Sequence, residues 1–256
     1  MLFFSPLEQF QLLPLVSCPF VDFSITNETI ILVLIFSFIS IIFSSLIFLS
    51  QDKKTLLTIP NNWQAVFEIF FKLIASLVTD NIKEKNGGKF FPLVSVLFVF
   101  ILSVNLIGLI PYSYTLTSQL VITLTLSISI FIGINILAVK KHGIKIFSLF
   151  LPSGTSVTLA FLLVPIEFIS YVFKPISLSI RLFANMMAGH TLLKVIAGFS
   201  STMISTHVKS LIVLSYFPLL ILLPLFGLEL AVALIQTYVY SVLICIYVQD
   251  AMSISH

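Results

Sequence analysis

The chain has 256 residues, of which 59% are hydrophobic and 9% are charged, and its formal net charge is +3. Soluble domains carry roughly a quarter of charged residues, so this composition excludes a soluble globular protein and indicates an integral membrane protein. The two cysteines, Cys18 and Cys245, lie too far apart to form a redox or metal-binding motif, and a disulfide framework is not expected.

The chain opens with a lead-in, residues 1–28, which contains several prolines and acidic side chains and is predicted to be loosely structured. Residues 29–50 follow without a charged side chain. This segment is long enough for one transmembrane helix, which needs about 20 apolar residues. Asp52, Lys53 and Lys54 end it.

Residues 61–86 predict an amphipathic helix that lies in the membrane interface or against another helix. Pro60 precedes this segment, and the pair Gly87-Gly88 ends it. Aromatic and aliphatic residues cover much of its surface. Its polar side chains recur every three or four residues and therefore share one face: Gln64, Glu68, Lys72, Ser76, Thr79 and Lys83.

Residues 90–111 and 118–140 predict the two arms of a transmembrane hairpin. Residues 90–139 carry no charged side chain, and a turn around Pro111 interrupts this stretch. Asn105 lies within the first arm and Asn135 near the end of the second. For each asparagine, a hydrogen bond between helices is favoured over a role in transport.

Two long apolar segments, 155–199 and 208–252, make up most of the remaining chain. Each exceeds the roughly 25 residues that a perpendicular membrane span needs, and prolines interrupt both. Long, kinked and steeply tilted helices explain this pattern better than four separate spans, although the sequence leaves both arrangements open. The predicted fold class is an all-α integral membrane protein.

The most unusual residue is Arg181, the only arginine in the chain, which lies in a segment predicted to be buried in the membrane. A guanidinium stays protonated at any working pH, and at the bilayer centre it costs at least about 2.5 kcal/mol. Its helix face is otherwise mostly small, with Lys174, Asn185 and, at the edge, Glu167. Such a face favours close approach by a partner helix, although the interior of a helix bundle would also use small residues.

His190 projects from the opposite side of that helix, and its natural neighbour is the last apolar segment. There, Glu229 and Gln236 share one helix face. A carboxyl group in an apolar run needs a partner or a proton. Taken singly, the histidine is typical of a structural residue and the amides of packing hydrogen bonds. Together with the arginine and the acids they indicate an ion pathway.

Three stretches of the chain closely resemble subunit a of rotary F-type ATP synthases. They are SLSIRLFANMMAGH at 177–190, GLELAVALIQ at 227–236 and NLIGLIPYS at 105–113, and the lead-in SPLEQF at 5–10 resembles the mitochondrial form. The resemblance implies one membrane-crossing helix, an amphipathic helix on the matrix side, a hairpin, and two long tilted helices that curve around a ring of c subunits.

The resemblance also implies roles for the site residues. Arg181 matches the essential arginine that faces the carboxylates of the ring, and Asn185 and Gln236 match the amides beside it. His190 and Glu229 match the pair that lines the half-channel, an aqueous path reaching half-way through the membrane, through which protons enter from the intermembrane space. Glu167 matches an acid near the matrix-side half-channel, and no role carries over to Lys174 or Lys194.

The implied partners are the c-subunit ring, other Fo subunits including the peripheral stalk subunit b, and membrane lipid, and a dimer of the whole synthase is allowed for. Neither a nucleic acid nor a cofactor or metal is expected, and ATP is formed on other subunits. Basic loops near 53–54, 83–89 and 140–145 predict that these loops face the matrix side of the mitochondrial inner membrane.

Two other classes of membrane protein were weighed against this interpretation. A haem- or quinone-binding respiratory subunit would need paired histidines on facing helices, and the four histidines of this chain offer no such pairs. Another polytopic ion transporter of the secondary class would be expected to carry an inverted repeat, and none is visible in the sequence.

Overall fold

The computed structural model describes residues 10–12, 14–16, 25–50, 62–82, 87–110, 113–143, 157–206 and 208–252. Within these ranges the chain is almost entirely helical, which confirms the all-α class. Short 3₁₀ turns at Gly87–Phe90 and Leu116–Ser118 lead into the third and fourth helices. The helices are α1 (Asn27–Ser50), α2 (Asn62–Asn81), α3 (Phe91–Gly108), α4 (Leu120–His142), α5 (Val157–Ser205), α6 (Lys209–Leu214) and α7 (Tyr216–Met252).

The lead-in contains a short antiparallel pairing of β1 (Pro14–Val16) with β2 (Ile25–Thr26). Pro14 faces Thr26 across the pair. Proline has no N–H to donate to the hydrogen-bond ladder of a sheet. It is therefore tolerated at the first position of a strand and rarely at central positions. This pairing is an element of regular structure that the sequence did not predict, and most of residues 1–24 lies outside the described ranges.

Among the described residues, four helical stretches are long and apolar enough to cross a membrane: Gly87–Gly108, Leu120–His142, Phe161–Ser205 and Lys209–Met252. Residues Asn27–Ile41 of α1 form a shorter apolar helix, and most side chains of α1 beyond this stretch lie outside the described residues. The chain is therefore a multi-pass membrane protein, as its composition predicts.

The two long apolar segments differ in continuity. Helix α5 runs through 49 residues without a break, although Pro165 and Pro175 lie inside it. The last segment is divided at Ser215 into α6 and α7. Pro218 has no N–H to offer the carbonyl of the residue four positions earlier, Leu214, and the helix is interrupted at this point.

Helix α2 is amphipathic in the way that its spacing predicts. Ile74, Leu77 and Val78 are buried, whereas Glu68 and Lys72 on the other face are exposed. Its aromatic side also packs against α3 and the turn before it, with 5.5 Å between the ring centres of Phe70 and Phe98 and 6.5 Å between those of Phe71 and Phe91. This helix therefore lies against another helix.

The described residues form two compact units, and both α5 and α7 contribute to each of them. The first unit, here called the histidine unit, draws on Met1–Ile41, Phe100–Leu120 and Leu182–Thr237. Leu109, Met186 and Ala233 form a buried apolar cluster within it. In this unit α3, α5 and α7 therefore pack together.

The second unit, here called the arginine unit, draws on Ile42–Val99, Val121–Arg181 and Tyr238–His256. Buried hydroxyl groups join its helices: Ser179 donates to Thr123 at 3.0 Å, and the oxygen atoms of Ser127 and Tyr240 lie 3.3 Å apart. Polar contacts between small side chains are a usual means of helix association within a bilayer, where apolar burial alone gives no preference for a helix over lipid.

Candidate functional site

A buried pair of ionisable side chains, His190 and Glu229, occupies the histidine unit. The Nδ1 atom of His190 lies 3.1 Å from the Oε1 atom of Glu229, and the two residues are only 8% and 5% exposed. Helix spacing predicts that His190 faces the helix of Glu229, and the structure brings the two side chains together. Because an isolated carboxylate is costly in an apolar medium, this proximity accounts for a glutamate in the run around Leu228.

Gly189 makes room for this pair. A Cβ atom at Gly189 would lie 2.7 Å from Oε1 of Glu229, which is closer than a real side chain can approach. The absence of a side chain therefore lets the carboxylate of α7 reach the backbone of α5. The sequence analysis missed this role, because the small residue before His190 looked like part of the general small-residue pattern.

The pair is not saturated by its own contact. Nδ1 of His190 is in ion-pair contact with Oε1 of Glu229, but Nε2 of His190 and both carboxylate oxygens of Glu229 have no hydrogen-bond partner among the described residues. Buried polar atoms of this kind are usually satisfied by ordered water. The geometry is therefore suited to a hydrated proton relay rather than to a closed structural ion pair.

The two amide residues form a second bridge between α5 and α7 in the same unit. The Nδ2 atom of Asn185 donates to Oε1 of Gln236 at 3.0 Å. The amide nitrogen of Gln236 is buried and has no partner among the described residues. The amides therefore hold the two helices together and leave one donor for water or for an external group.

Asn105 of α3 joins this region from the hairpin side. Its Nδ2 atom donates to Oγ1 of Thr237 at 3.3 Å and approaches the carbonyl of Ala233 at 3.5 Å. In the arginine unit, Asn135 accepts a hydrogen bond from the hydroxyl of Tyr171. Both asparagines thus make the contacts between helices that the sequence predicts.

Arg181 is placed very differently. It is exposed, and among the described residues no carboxylate lies within 4.0 Å of its guanidinium. A lone cation within an apolar helix is costly, and no carboxylate of the described residues offsets this cost by pairing with Arg181.

The remaining charged residues on α5 do not join a common cluster. Glu167 is exposed, and Lys194 is half-buried. Lys174 pairs with Asp250 at 3.4 Å, and its Nζ atom lies 5.3 Å from the centre of the Tyr247 ring. Asp250 was not among the residues predicted from the sequence, although a carboxylate at the end of a long apolar run stands out there.

The turn of the hairpin carries a buried phenol, that of Tyr114. Burial raises the pKa of Tyr114 to about 12, and the carboxylate of Glu28 at the start of α1 adds to this shift. In the part of the chain that the structure describes, no three His, Cys, Asp or Glu side chains come together as a metal site would require.

Comparison with known proteins covers nearly the whole chain. The sequence profile of the family "ATP synthase A chain" matches residues 30–249. The chain is 49% identical over 253 residues to ATP synthase subunit a of Pylaiella littoralis, which covers 98% of this chain and 99% of the relative. Identity to ATP synthase subunit a of Chondrus crispus is 47% over 250 residues, covering 97% and 96%. The chain is 44% identical over 255 residues to ATP synthase subunit a of Brassica napus, and the match covers 98% of this chain and 96% of the relative.

Proposed function

This chain belongs to the ATP synthase A chain family, and on that premise we propose how it translocates protons in the Fo sector. The chain forms two offset half-channels, each open to one side of the membrane. A proton enters by the first, transfers to a carboxylate of the c-subunit ring, rides with the ring, and leaves by the second. The chain is the stator of this motor, and phosphorylation takes place on other subunits.

The observation that carries the proposal is the state of Arg181. Its guanidinium is exposed within a long apolar helix and has no carboxylate partner among the described residues. A permanent cation in that place is compensated if acidic groups of another chain pass in front of it. A ring of c-subunit carboxylates supplies such groups in turn.

Arg181 has two tasks in this mechanism. Its positive charge favours the ionised form of each ring carboxylate. A protonated carboxyl group of the ring therefore releases its proton before it moves past Arg181. The same charge repels protons and thereby prevents a direct leak from one half-channel to the other. A proton can therefore cross the membrane only by travelling with the rotating ring from the first half-channel to the second.

His190 and Glu229 line the half-channel through which protons enter. They form a buried pair with unpartnered polar atoms on both sides, which is the arrangement expected of groups that pass protons along with water. Asn185 and Gln236 form the amide bridge between the same two helices, beside the arginine in sequence. Glu167, an exposed carboxylate on α5, belongs to the half-channel through which protons leave.

The driving force comes from the membrane potential and the proton gradient. Each elementary charge that crosses the membrane releases about 2.3 kcal/mol per 100 mV. Several protons per turn are needed before the ring stores enough free energy for one phosphorylation. Efficient coupling therefore requires that almost no proton crosses without turning the ring.

The proposed setting is the mitochondrial inner membrane, with the basic loops facing the matrix. The partners are the c-subunit ring, the peripheral stalk subunit b, other Fo subunits and lipid, within a synthase that can form dimers. Large apolar side chains on α5 and α7, such as Phe161 and Leu223, are highly exposed and are suited to lipid or to an apolar ring surface.

The decisive test replaces Arg181 in the intact synthase reconstituted into vesicles. We expect Arg181→Ala and Arg181→Lys to abolish proton-driven ATP synthesis while assembly is kept. Lysine fails because it can lose its proton when buried and lacks the planar guanidinium. Lys209→Ala removes an exposed cation at the start of α6 and serves as the matched control. Normal synthesis in either arginine variant refutes the proposal.

A further inference from the structure

Helix α5 carries a second cation on the same face as Arg181. Lys174 lies seven residues earlier, and residues seven apart in a helix lie on nearly the same side, about 10 Å apart along the axis. Ser177 lies between them, is exposed and is small. A carboxylate that approaches Arg181 from outside the chain therefore approaches a strip with two positively charged side chains.

Unlike Arg181, Lys174 has partners within the chain. Its Nζ atom donates to Oδ2 of Asp250 at 3.4 Å, near the end of α7. The same atom lies 5.5 Å from the ring centre of Tyr171 and 5.3 Å from that of Tyr247, which is within the range of a cation–π interaction. One carboxylate and two aromatic rings thus surround the ammonium group, and we call these three residues the lysine cage.

Helix α4 holds one wall of the lysine cage in place. The hydroxyl of Tyr171 donates a hydrogen bond to Oδ1 of Asn135, and the ring of Tyr171 lies 4.9 Å from that of Phe131 between ring centres. A tyrosine that is anchored at its hydroxyl and packed along its ring has few other positions available. The aromatic surface beside Lys174 is therefore fixed by the neighbouring helix.

The same helix also holds the end of α7, which carries the carboxylate of the lysine cage. The carbonyl of Met252, the last residue of α7, accepts a hydrogen bond from Nζ of Lys141 at 2.9 Å and lies 3.1 Å from Nε2 of His142. Basic side chains stabilise a helix C-terminus because its last carbonyls have no partner within the helix. Asp250 lies two residues before this cap, so its position is set by α4 as well.

We infer that the lysine cage neutralises Lys174 and holds it in place, so that the ring carboxylates meet Arg181 as the one available cation of this strip. The inference rests on the proposed function and deepens it. It assigns a positioning role to Asp250, which acts on the ring through Lys174 and not by touching a ring carboxylate itself.

A second available cation would disturb the contact between Arg181 and the ring. An ammonium group attracts an ionised carboxylate just as a guanidinium does, and this attraction is stronger where water is scarce. A ring carboxylate that reached the strip would then be shared between Lys174 and Arg181 and would leave it more slowly. Pairing Lys174 with Asp250 removes this competition.

The test uses the assembled synthase in vesicles, energised by an imposed proton gradient. Asp250→Asn keeps the side-chain shape and an oxygen that can accept the hydrogen bond of Lys174, but it removes the negative charge. We expect it to slow proton-driven ATP synthesis about fivefold, the factor at the upper end of the range for an exposed ion pair.

The decisive variant combines Asp250→Asn with Lys174→Met. Because the competing cation is gone, we expect the double variant to recover a rate within about twofold of the native protein, as Lys174→Met alone should also do. A double variant as slow as Asp250→Asn overturns the inference, since Asp250 would then act independently of Lys174. A native rate in Asp250→Asn overturns it as well.

Two further variants separate the possible failures. Glu68→Gln removes an exposed carboxylate of α2 in the same unit and should leave the rate unchanged, and an equal loss in this variant overturns the inference. Arg181→Ala is measured in parallel. If it stops synthesis while the predicted pattern for Asp250 and Lys174 is absent, the lysine cage has no such role and the proposed function stands. If Arg181→Ala has no effect, the proposed function itself fails.

Chemical cross-linking covers the case in which Asp250→Asn does not assemble. A water-soluble carbodiimide joins an amine to a carboxyl group in contact with it. The amide bond forms with loss of one water, which the carbodiimide takes up to become a urea. In the native synthase we expect Lys174 to be joined to Asp250, which peptide mass spectrometry detects. Lys174 joined to a c subunit of the native synthase overturns the inference, whereas the same product in Asp250→Asn supports it.

Discussion

His190 and Glu229 in the histidine unit and Arg181 in the arginine unit differ in whether the chain itself supplies a partner for them. In the first, His190 and Glu229 are buried and lie 3.1 Å from each other, so each group finds its counterpart within the chain. In the second, Arg181 is exposed and has no carboxylate partner among the described residues.

In the proposed mechanism, this difference separates a stationary proton relay from a contact with a moving partner. A proton relay must keep its groups at fixed distances, which an intrachain pair between two packed helices provides. A cation that serves successive carboxylates of a rotor must not be neutralised by its own chain, because a permanent partner would compete with each arrival.

The largest effect is expected when Arg181 receives a partner within its own helix. Ser177 is exposed and lies one turn earlier, so Ser177→Glu places a carboxylate at the favourable i, i+4 position. We expect proton-driven ATP synthesis to fall more than about a hundredfold, the size of effect seen when a charge-stabilising group is removed from an active site. Ser177→Gln, with similar volume and no charge, should retain most of the rate. Full activity of the glutamate variant would show that Arg181 still works when a carboxylate of its own helix neutralises its charge.

The next effect concerns the buried pair. His190→Ala and Glu229→Gln should each slow proton flux roughly tenfold to a hundredfold, since each removes a proton-transfer group. Because both act on the same proton, the double variant should lose much less than the product of the two. The coupling energy should be about 1–3 kcal/mol, as found for residues in contact. Plain additivity in this cycle would count against a shared relay.

A smaller effect is expected from the space beside the pair. Gly189→Ala adds a methyl group that meets Oε1 of Glu229 at 2.7 Å, so the carboxylate must move away from His190. We expect roughly a fivefold loss of proton flux, comparable to one weakened hydrogen bond. Gly198→Ala is the matched control on the same helix, since nothing lies within 4 Å of its added atom. Equal rates in the two alanine variants would mean that Glu229 needs no contact with α5.

The smallest effect is expected from the exposed ion pair of the arginine unit. The side chains of Lys174 and Asp250 are 32% and 49% exposed, so water screens their attraction. We expect Lys174→Met to lower the free energy of unfolding by less than about 1 kcal/mol, the usual range for exposed pairs. The thermal midpoint of the assembled complex measures this change. A loss of several kcal/mol in the free energy of unfolding would show that water does not screen the Lys174–Asp250 pair, as for a buried ion pair.

Patterns along the chain were sufficient for the elements with a strong local signal. The polar stripe with Glu68 and Lys72 predicts α2 and its exposed face, and the uncharged stretch around Asn105 predicts the two helices α3 and α4. Helix spacing also predicts that His190 turns towards the helix of Glu229. In each case the signal is periodic, and the period of a helix follows from the backbone alone.

Other features carry no periodic signal. The break at Ser215 depends on Pro218, which was noted only as an interruption, and the strand pairing of Pro14–Val16 was not predicted. The clearance at Gly189 and the buried turn around Thr115 depend on helices that are far apart in sequence. Their neighbours are set by packing, which a single sequence does not reveal.

By itself, the sequence determined that this protein crosses a membrane with long helices and that one permanent cation lies in an apolar segment. Only the tertiary structure decided which of the described polar groups are paired within the chain and which are not. The physical reason is that the cost of a buried charge or hydroxyl depends on the atoms around it in space. Those atoms come from other helices, whose contacts local periodicity does not encode.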